Sequence, residues 1–325
     1  MHSPLVSIIL TVYKPRQYLE GAIKSILRQS FADFELIITD DANSEWTRQR
    51  CLGFGADRRV TYRGNPTRLG PLLNIAAALK QAGGEYVVVL NDDDEFEPGL
   101  LQSLIQPLLR FPECVLAFCD HWMVDSFGIP IAGLCSGTAK VARRQNLAEG
   151  LLPKPFGLAL RGGALIAMGA MFRRNALRPD WFRPEAGGAY DLWLAIQLSA
   201  MGGFYYVPAQ LMRYRVHRES ESARRDPEKV QSEIFIFETL LKQSIPSSDH
   251  EFARAQLATY LFVLGRERQY SHNRKGACCA FLRSLQVKPS IKAALGISST
   301  YFPEEILQLA VKVRRRASEF LSQRV

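Results

Sequence analysis

Nowhere in its 325 residues does the sequence offer about 18 uninterrupted apolar positions, the shortest run that crosses a bilayer as a helix, although 47% of it is hydrophobic. The apolar stretch nearest the N-terminus, Leu5 to Val12, has no Lys or Arg before it. It carries Ser7 and Thr11 and runs into Tyr13 and Lys14, so it reads as a buried strand rather than a secretory leader. A cytoplasmic protein is the expectation. Cysteine is sparse as well. Cys51, Cys114, Cys119, Cys135, Cys278 and Cys279 show no C-x-x-C spacing, and adjacent cysteines seldom pair, which leaves reduced, structural thiols. Two nucleotide-binding devices are also missing. Lys14-Pro15-Arg16 follows the first apolar run where a dinucleotide fold carries G-x-G-x-x-G, and no G-x-x-x-x-G-K-[ST] loop occurs. Asp92 to Glu97 lacks the sixth-position glycine of a calcium-binding EF-hand loop. No low-complexity tract breaks the chain, so the composition is that of a globular protein with one large domain or two modest ones.

Acidic residues are outnumbered, 32 against 41 Lys and Arg, and the net charge of +9 favours an anionic partner. Most of the surplus lies beyond His217. There, Arg314, Arg315 and Arg316 point to peripheral contact with an anionic membrane at its inner face. A nucleic-acid partner is not expected, because the basic residues are not interleaved with aromatics and match no binding motif.

Strand and helix signals alternate through the first 125 residues. Leu5 to Tyr13 is a strand. Pro15 to Gln29 is a helix with apolar residues at helical spacing, Phe34 to Asp41 a strand, Ser44 to Phe54 a short helix and Val60 to Arg63 a strand. Gly70 to Ala82 and Pro98 to Phe111 are helices, with strands at Tyr86 to Leu90 and Cys114 to Cys119. Continuous apolar strands between helices predict an α/β fold whose mixed, largely parallel sheet is covered on both faces. Gly128 to Gly163 is expected to form a long functional loop with a short helix near Lys140 to Gly150. Ala164 to Arg173 reads as a strand, Tyr190 to Ala200 as a helix, and Phe204 to Val207 and Leu211 to His217 as two short strands. Beyond residue 220 only helices are expected: Val230 to Gln243, Glu251 to Arg268, Lys275 to Gln286 and Pro303 to Phe320. The division is thus 1–220, catalytic, and 221–325, a helical C-terminal region.

In an open α/β sheet, ligands sit outside the carboxyl ends of the strands. Here the first strand ends in Thr11, Val12 and Tyr13, the second in Asp40 and Asp41, and the fourth in Asn91, Asp92, Asp93 and Asp94. Neighbouring carboxylates about 4 Å apart repel by roughly 1 kcal/mol in water and several-fold more near a protein surface, so the acidic run needs a counter-charge. A hard divalent cation, Mn2+ or Mg2+, supplies it and neutralises a departing diphosphate as a Lewis acid. The same run could also serve only as a solvated turn before the next helix.

Three ordered segments, Val6 to Tyr13, Ser25 to Phe31 and Phe34 to Asp41, resemble the opening of the family 2 inverting glycosyltransferases of GT-A fold. Gly84-Glu85-Tyr86, followed by Leu90 to Asp94 and Pro98, resembles that family's D-x-D segment, and the likeness extends over roughly residues 4 to 220. The resemblance implies a Rossmann-like GT-A sheet, a nucleotide-diphosphate sugar donor with UDP as the default base, and a carbohydrate or lipid-linked acceptor. It assigns Thr11, Tyr13 and Asp41 to the nucleotide base, Asp92 to the ribose and metal, and Asp93 to the metal. Asn91 replaces the family's usual first Asp; an amide can still bind a hydroxyl there. Tyr214-Arg215-Val216-His217 resembles the closing strand, where His217 reaches the metal or diphosphate or else stays on the surface. Arg213, Arg215 and Arg218 could add charge for the diphosphate.

The family's catalytic base is an Asp two residues before an Asp-Leu-Trp-Leu sequence, and in Gly188-Ala189-Tyr190-Asp191-Leu192-Trp193-Leu194 that place falls on Ala189. Asp191 is the nearest carboxylate and Glu185 the next. Asp191 requires a non-helical start at Ala189 and Tyr190, since residues two apart point about 200° from each other in a helix. If neither acts, the chain is a nucleotide-sugar-binding module without turnover.

Overall fold

The computed structural model describes residues 3–14, 16–131, 144–217 and 227–300. The chain divides into two compact units, Met1–Lys229 and Val230–Val325, and the expected boundary after residue 220 lies outside the described residues. So do Pro303 to Phe320, Arg218 and the three arginines at 314–316.

The first unit opens with β1 (Val6–Val12), α1 (Leu19–Leu27), β2 (Phe34–Asp40), α2 (Glu45–Leu52), β3 (Val60–Gly64), α3 (Pro71–Leu79) and β4 (Tyr86–Asn91). Local chemistry sets the boundaries. Ser44 caps α2 by accepting the Thr47 N–H at 3.1 Å, while Gly70 at φ 79° and Pro71 turn the chain into α3. There follow β5 (Glu95–Phe96), α4 (Leu100–Arg110), β6 (Cys114–Val124), β7 (Gly150–Leu152), α5 (Phe156–Leu160), β8 (Ala170–Arg173), α6 (Tyr190–Ser199) and β9 (Gly203–Arg215).

The strands form one sheet in the order β3-β2-β1-β4-β8-β6-β9-β5, with β7 paired to β9. β1 runs parallel to β2 and to β4, and β2 parallel to β3. β8 is antiparallel to both β4 and β6, while β6 and β9 are again parallel, so the sheet is mixed, as expected. β1 is the spine. Its Val6, Ile8, Ile9, Leu10 and Val12 are fully buried, and Leu19, Ala22, Ile23 and Ile26 of α1 close over one face. Each such side chain contributes about 1.5–3 kcal/mol. Because β2, β1 and β4 stay in register, their carboxyl ends finish side by side.

Several elements depart from the sequence reading. β9 is one strand, not two, and crosses Pro208 at a bulge: Cys119 pairs with Val207 but Asp120 with Gln210, so the residue without an N–H sits where no ladder bond is needed. Residues 164–169 form turns rather than the start of β8. Gly169 ends them at φ 78°, where a Cβ would come within 2.7 Å of the Cys119 sulfur. The stretch read as a loop contains β7 and α5, and the helix expected near 140–150 is not formed over its described part, since residues 144–149 are turn and irregular chain leading into β7. Residues 174–189 make three short 3-10 turns.

The second unit holds most of α7 (Pro227–Leu240), then α8 (Ser247–Tyr270), α9 (Arg274–Val287) and α10 (Ile291–Ser299), the last not anticipated. The Phe281 ring packs against bare backbone at Gly265 and Gly296, where a Cβ would meet it at 2.5 and 2.8 Å. Among the described residues no helix is long and apolar enough to cross a membrane. The five described cysteines are free. Burial pushes the Cys51 and Cys119 thiols up to about 12 and the Cys114 thiol to about 11.

His121 on β6 is 3% exposed, and neither ring nitrogen has a hydrogen-bond partner among the described residues. Burial first, and the Arg144 charge second, push its pKa down from 6.5 to about 4. Between these values the unfolded chain takes the proton and the folded chain refuses it. The pH-dependent cost of His121 is therefore absent well above pH 6.5 and grows progressively as pH falls towards 4, to about 3 kcal/mol. His121→Leu removes the titrating group and is expected to shrink the loss of stability between about pH 7 and pH 4.5. Urea denaturation midpoints at the two pH values check this; identical losses in both proteins would clear His121 of any part in acid sensitivity.

Candidate active site

Two adjacent carboxylates close β2, and they do different things. Asp40 turns inward and accepts the N–H groups of Ala42, Asn43 and Ser44 at 2.9 to 3.1 Å and the Tyr62 hydroxyl at 3.0 Å, which builds the turn into α2. Asp41, 3% exposed, accepts from Asn65 Nδ2 at 3.0 Å and from the N–H groups of Leu69 and Gly70 at 2.8 and 2.9 Å. Asp41 thus holds the 65–70 loop against the strand exit. Between them lies a cleft of about 320 Å³, lined by Tyr13, Asp41, Asn65 and Arg68. The Arg68 guanidinium lies 3.9 Å from the centre of the Tyr13 ring.

A second cavity of about 330 Å³ opens over the ends of β1 and β4. Thr11, Tyr13, Asp41, Asn91, Asp92 and Asp93 all line it, so the structure brings six of the residues named from sequence to one place. Thr11 Oγ1 donates to Leu90 O at 3.3 Å and to Asn91 Oδ1 at 3.1 Å. Tyr190 reaches the same amide oxygen from α6 at 3.4 Å.

The acidic turn is tied down from the far end of the chain. Arg215, at the end of β9 and 5% exposed, gives its backbone N–H to Asp94 Oδ1 at 2.8 Å, its Nε to Asp93 O at 2.9 Å and its Nη2 to Glu95 Oε1 at 2.5 Å. Arg213 is bound to Glu97 at 2.7 Å and does not line the cavity, so the two arginines do not serve together there. Arg16 bonds to Asp93 Oδ2, and the same nitrogen lies 3.5 Å from Asp92 Oδ1. His217 Nε2 sits 3.1 Å from that Asp93 oxygen. Burial and the neighbouring Asp93 charge hold the Asp92 and Asp94 carboxyls well above the usual range, with Arg16 opposing the rise at Asp92.

Among the described residues no group of three or more His, Cys, Asp or Glu is arranged to hold a metal. The donor set nevertheless fits a divalent ion that brings substrate oxygens with it. Asp93 and His217 face each other, and Asp92 Oδ2 is a buried oxygen without a hydrogen-bond partner among the described residues.

Of the two candidate bases, Asp191 lines the cavity and Glu185 does not. Glu185 is exposed on the 3-10 turn Pro184–Ala189. Ala189 is 2% exposed with φ −134° and ψ 35°, a non-helical residue, whereas Tyr190 is already helical at φ −58° and ψ −35°. The expected non-helical start is thus present at Ala189 and absent at Tyr190. Asp191 Oδ1 accepts the Leu192 N–H at 2.8 Å at the first turn of α6. Sequence reasoning missed Arg16, Arg68 and the partly buried turn at Leu165, Ala167 and Met168, which forms one wall. A cation directly after the first strand, where a dinucleotide site has glycine, was the available signal for Arg16.

A family model described as Glycosyl transferase family 2 matches residues 7–179. The GalNAc(5)-diNAcBac-PP-undecaprenol beta-1,3-glucosyltransferase of Campylobacter jejuni is 24% identical over 317 residues, covering 96% of this chain and 98% of that protein. The UDP-Glc:alpha-D-GlcNAc-diphosphoundecaprenol beta-1,3-glucosyltransferase WfgD of Escherichia coli is 33% identical over 110 residues, 34% of this chain and 43% of that protein. Among solved structures, S. aureus TarS 1–349 in complex with UDP-GlcNAc aligns at a TM-score of 0.63 and 16% identity, over 91% of this chain and 89% of that one. The mannosyltransferase PcManGT from Pyrobaculum calidifontis, in complex with GDP-Man and Mn2+, aligns at 0.59 and 17% identity, over 92% and 79%. At these identities the structures establish a shared fold. The family match takes in β1 to β4, the acidic turn and β8, the frame on which the cavity is built, and spans more than half of the sequence. The chain therefore belongs to glycosyl transferase family 2 and is a glycosyltransferase.

Proposed function

We propose that the chain moves a sugar from a nucleoside-diphosphate donor to an acceptor hydroxyl by single displacement with inversion, the acceptor being a lipid-linked glycan of polysaccharide or glycolipid synthesis. The observation that carries this reading is that Asp93 of the acidic turn and Asp191 of α6 line one cavity with Thr11, Tyr13 and Asp41. Withdrawing the acceptor proton and stabilising the departing diphosphate are separate tasks that need separate groups. The undecaprenol-linked substrates in the names of the Campylobacter and E. coli relatives support the acceptor class. UDP is the expected nucleotide. The TarS complex holds UDP-GlcNAc and the PcManGT complex GDP-Man, so a donor panel separates the two. Peripheral contact with an anionic membrane would bring a lipid-linked acceptor within reach.

In this reading Tyr13 and Asp41 face the base, and Asn91 and Asp92 the ribose. Asp93 and His217 would hold a divalent ion, which supplies Lewis-acid charge to the diphosphate when bound. Asp191 takes the acceptor proton as the new C–O bond forms opposite the leaving group, which inverts the anomeric carbon.

Asp93→Asn is expected to weaken manganese-dependent UDP binding by at least about tenfold, because the amide loses the charge that draws the ion. Titration calorimetry with and without manganese measures this. Unchanged affinity would remove Asp93 from the ion site.

Asp191→Asn is expected to leave UDP and manganese binding nearly unchanged and to lower transfer at least about a hundredfold, the contribution of a positioned base. Glu185→Gln should keep activity, since that side chain is exposed away from the cavity. Persistent transfer in the Asp191 variant would return it to a structural role at the helix start. A wild-type protein that binds a donor and releases no sugar would instead favour a binding module.

A further inference from the structure

Two arginines reach the acidic turn, and they do not do the same work. Arg215 is spent on the turn's framework, the Asp93 carbonyl and the Glu95 carboxylate, and it also donates to Asp125 O at 3.2 Å and Ser126 O at 3.4 Å. Arg16 comes from the loop after β1, lines the cavity and is 8% exposed. Its Nη1 holds Asp93 Oδ2 and lies 3.5 Å from Asp92 Oδ1, so one cation bridges two carboxylates. Asp93 Oδ2 is also the oxygen that His217 approaches at 3.1 Å.

We propose that Arg16 is a resident counter-cation that competes with the divalent ion for Asp93, so that ion binding is coupled to arrival of the donor's diphosphate. The inference rests on the donor-site reading above. A guanidinium and a divalent ion cannot both sit at one carboxylate oxygen without strong like-charge repulsion, and burial leaves little water to screen it. When the ion enters, Arg16 leaves Asp93 for another anion in the same cavity. A diphosphate suits it, because a guanidinium matches phosphate oxygens with paired donors. The ion and the nucleotide then each raise the other's affinity, as linkage requires. Without nucleotide, Arg16 offsets the Asp93 charge and keeps the ion site closed.

The test uses manganese chloride and UDP on the full chain. Calorimetry of manganese alone is expected to show weak binding to the wild type and at least about tenfold tighter binding to Arg16→Gln, which lacks the competing charge. The gain in manganese affinity on adding UDP is expected to be large in the wild type and to shrink in the variant. Arg16→Lys keeps a cation and should behave like the wild type. Thermal unfolding gives a second readout. Arg16→Gln should melt lower than the wild type without metal, from unrelieved carboxylate repulsion, and recover more on adding manganese. Equal or weaker manganese binding by Arg16→Gln, in a folded protein that still binds UDP with manganese, would overturn the competition and leave the donor site standing. No manganese-dependent UDP binding by the wild type would overturn both.

Discussion

Holding four consecutive acidic residues, Asp92 to Glu95, in the turn after β4 and at the start of β5 is the constraint on which the active site depends. At an effective dielectric near 20, two carboxylates about 4 Å apart repel by roughly 4 kcal/mol, comparable to a large part of a domain's net stability. The molecule meets this in two ways. It surrounds the turn with basic side chains from distant segments, the guanidinium groups of Arg16 after β1 and Arg215 at the end of β9 and the imidazole of His217 just beyond it. It also buries Asp92 and Asp94 so deeply that their carboxyls are held well above the usual range, which lowers the charge to be offset. Asp93 lines the cavity with the Arg16 guanidinium and the His217 ring on one of its oxygens.

That arrangement makes the site a product of the whole first unit. Arg215 reaches Asp94 and Glu95 only because β9 runs unbroken past Pro208 and pairs with β6 along one edge and β5 along the other. The bulge at Asp120 absorbs the proline and sets the phase of every later side chain on β9. Gly169 lets the turn before β8 pass close to Cys119, which brings Ala167 and Met168 to the cavity wall. A side chain at that glycine would therefore act on the site through packing rather than charge.

The strands that build the frame were legible in the sequence because each is a continuous apolar run ended by a polar pair. Parallel pairing in register then obliges Thr11, Asp41 and Asn91 to share a rim. Asp191 was legible only as an alternative, since the usual base position holds Ala189. Periodicity failed at residues 164–169, an apolar stretch folded as turns ahead of β8, and at β9, where Pro208 looks like a break until the bulge is seen. It also missed α10, whose Ile291 and Leu295 are exposed and so mark no inward face.

By itself the sequence determined the α/β frame and the set of carboxylates delivered to the strand ends, because these follow from local patterns of burial and polarity, while the family showed as a resemblance in ordered motifs. Tertiary structure alone decided which charges meet. That Asp40 builds a turn while Asp41 faces the cavity, that Arg213 goes to Glu97 while Arg215 binds the acidic turn, and that Arg16 lies on Asp93 are matters of approach between segments up to about 120 residues apart. Coulomb energy falls with distance and desolvation depends on everything packed around a group, so neither can be read from the order of residues along the chain.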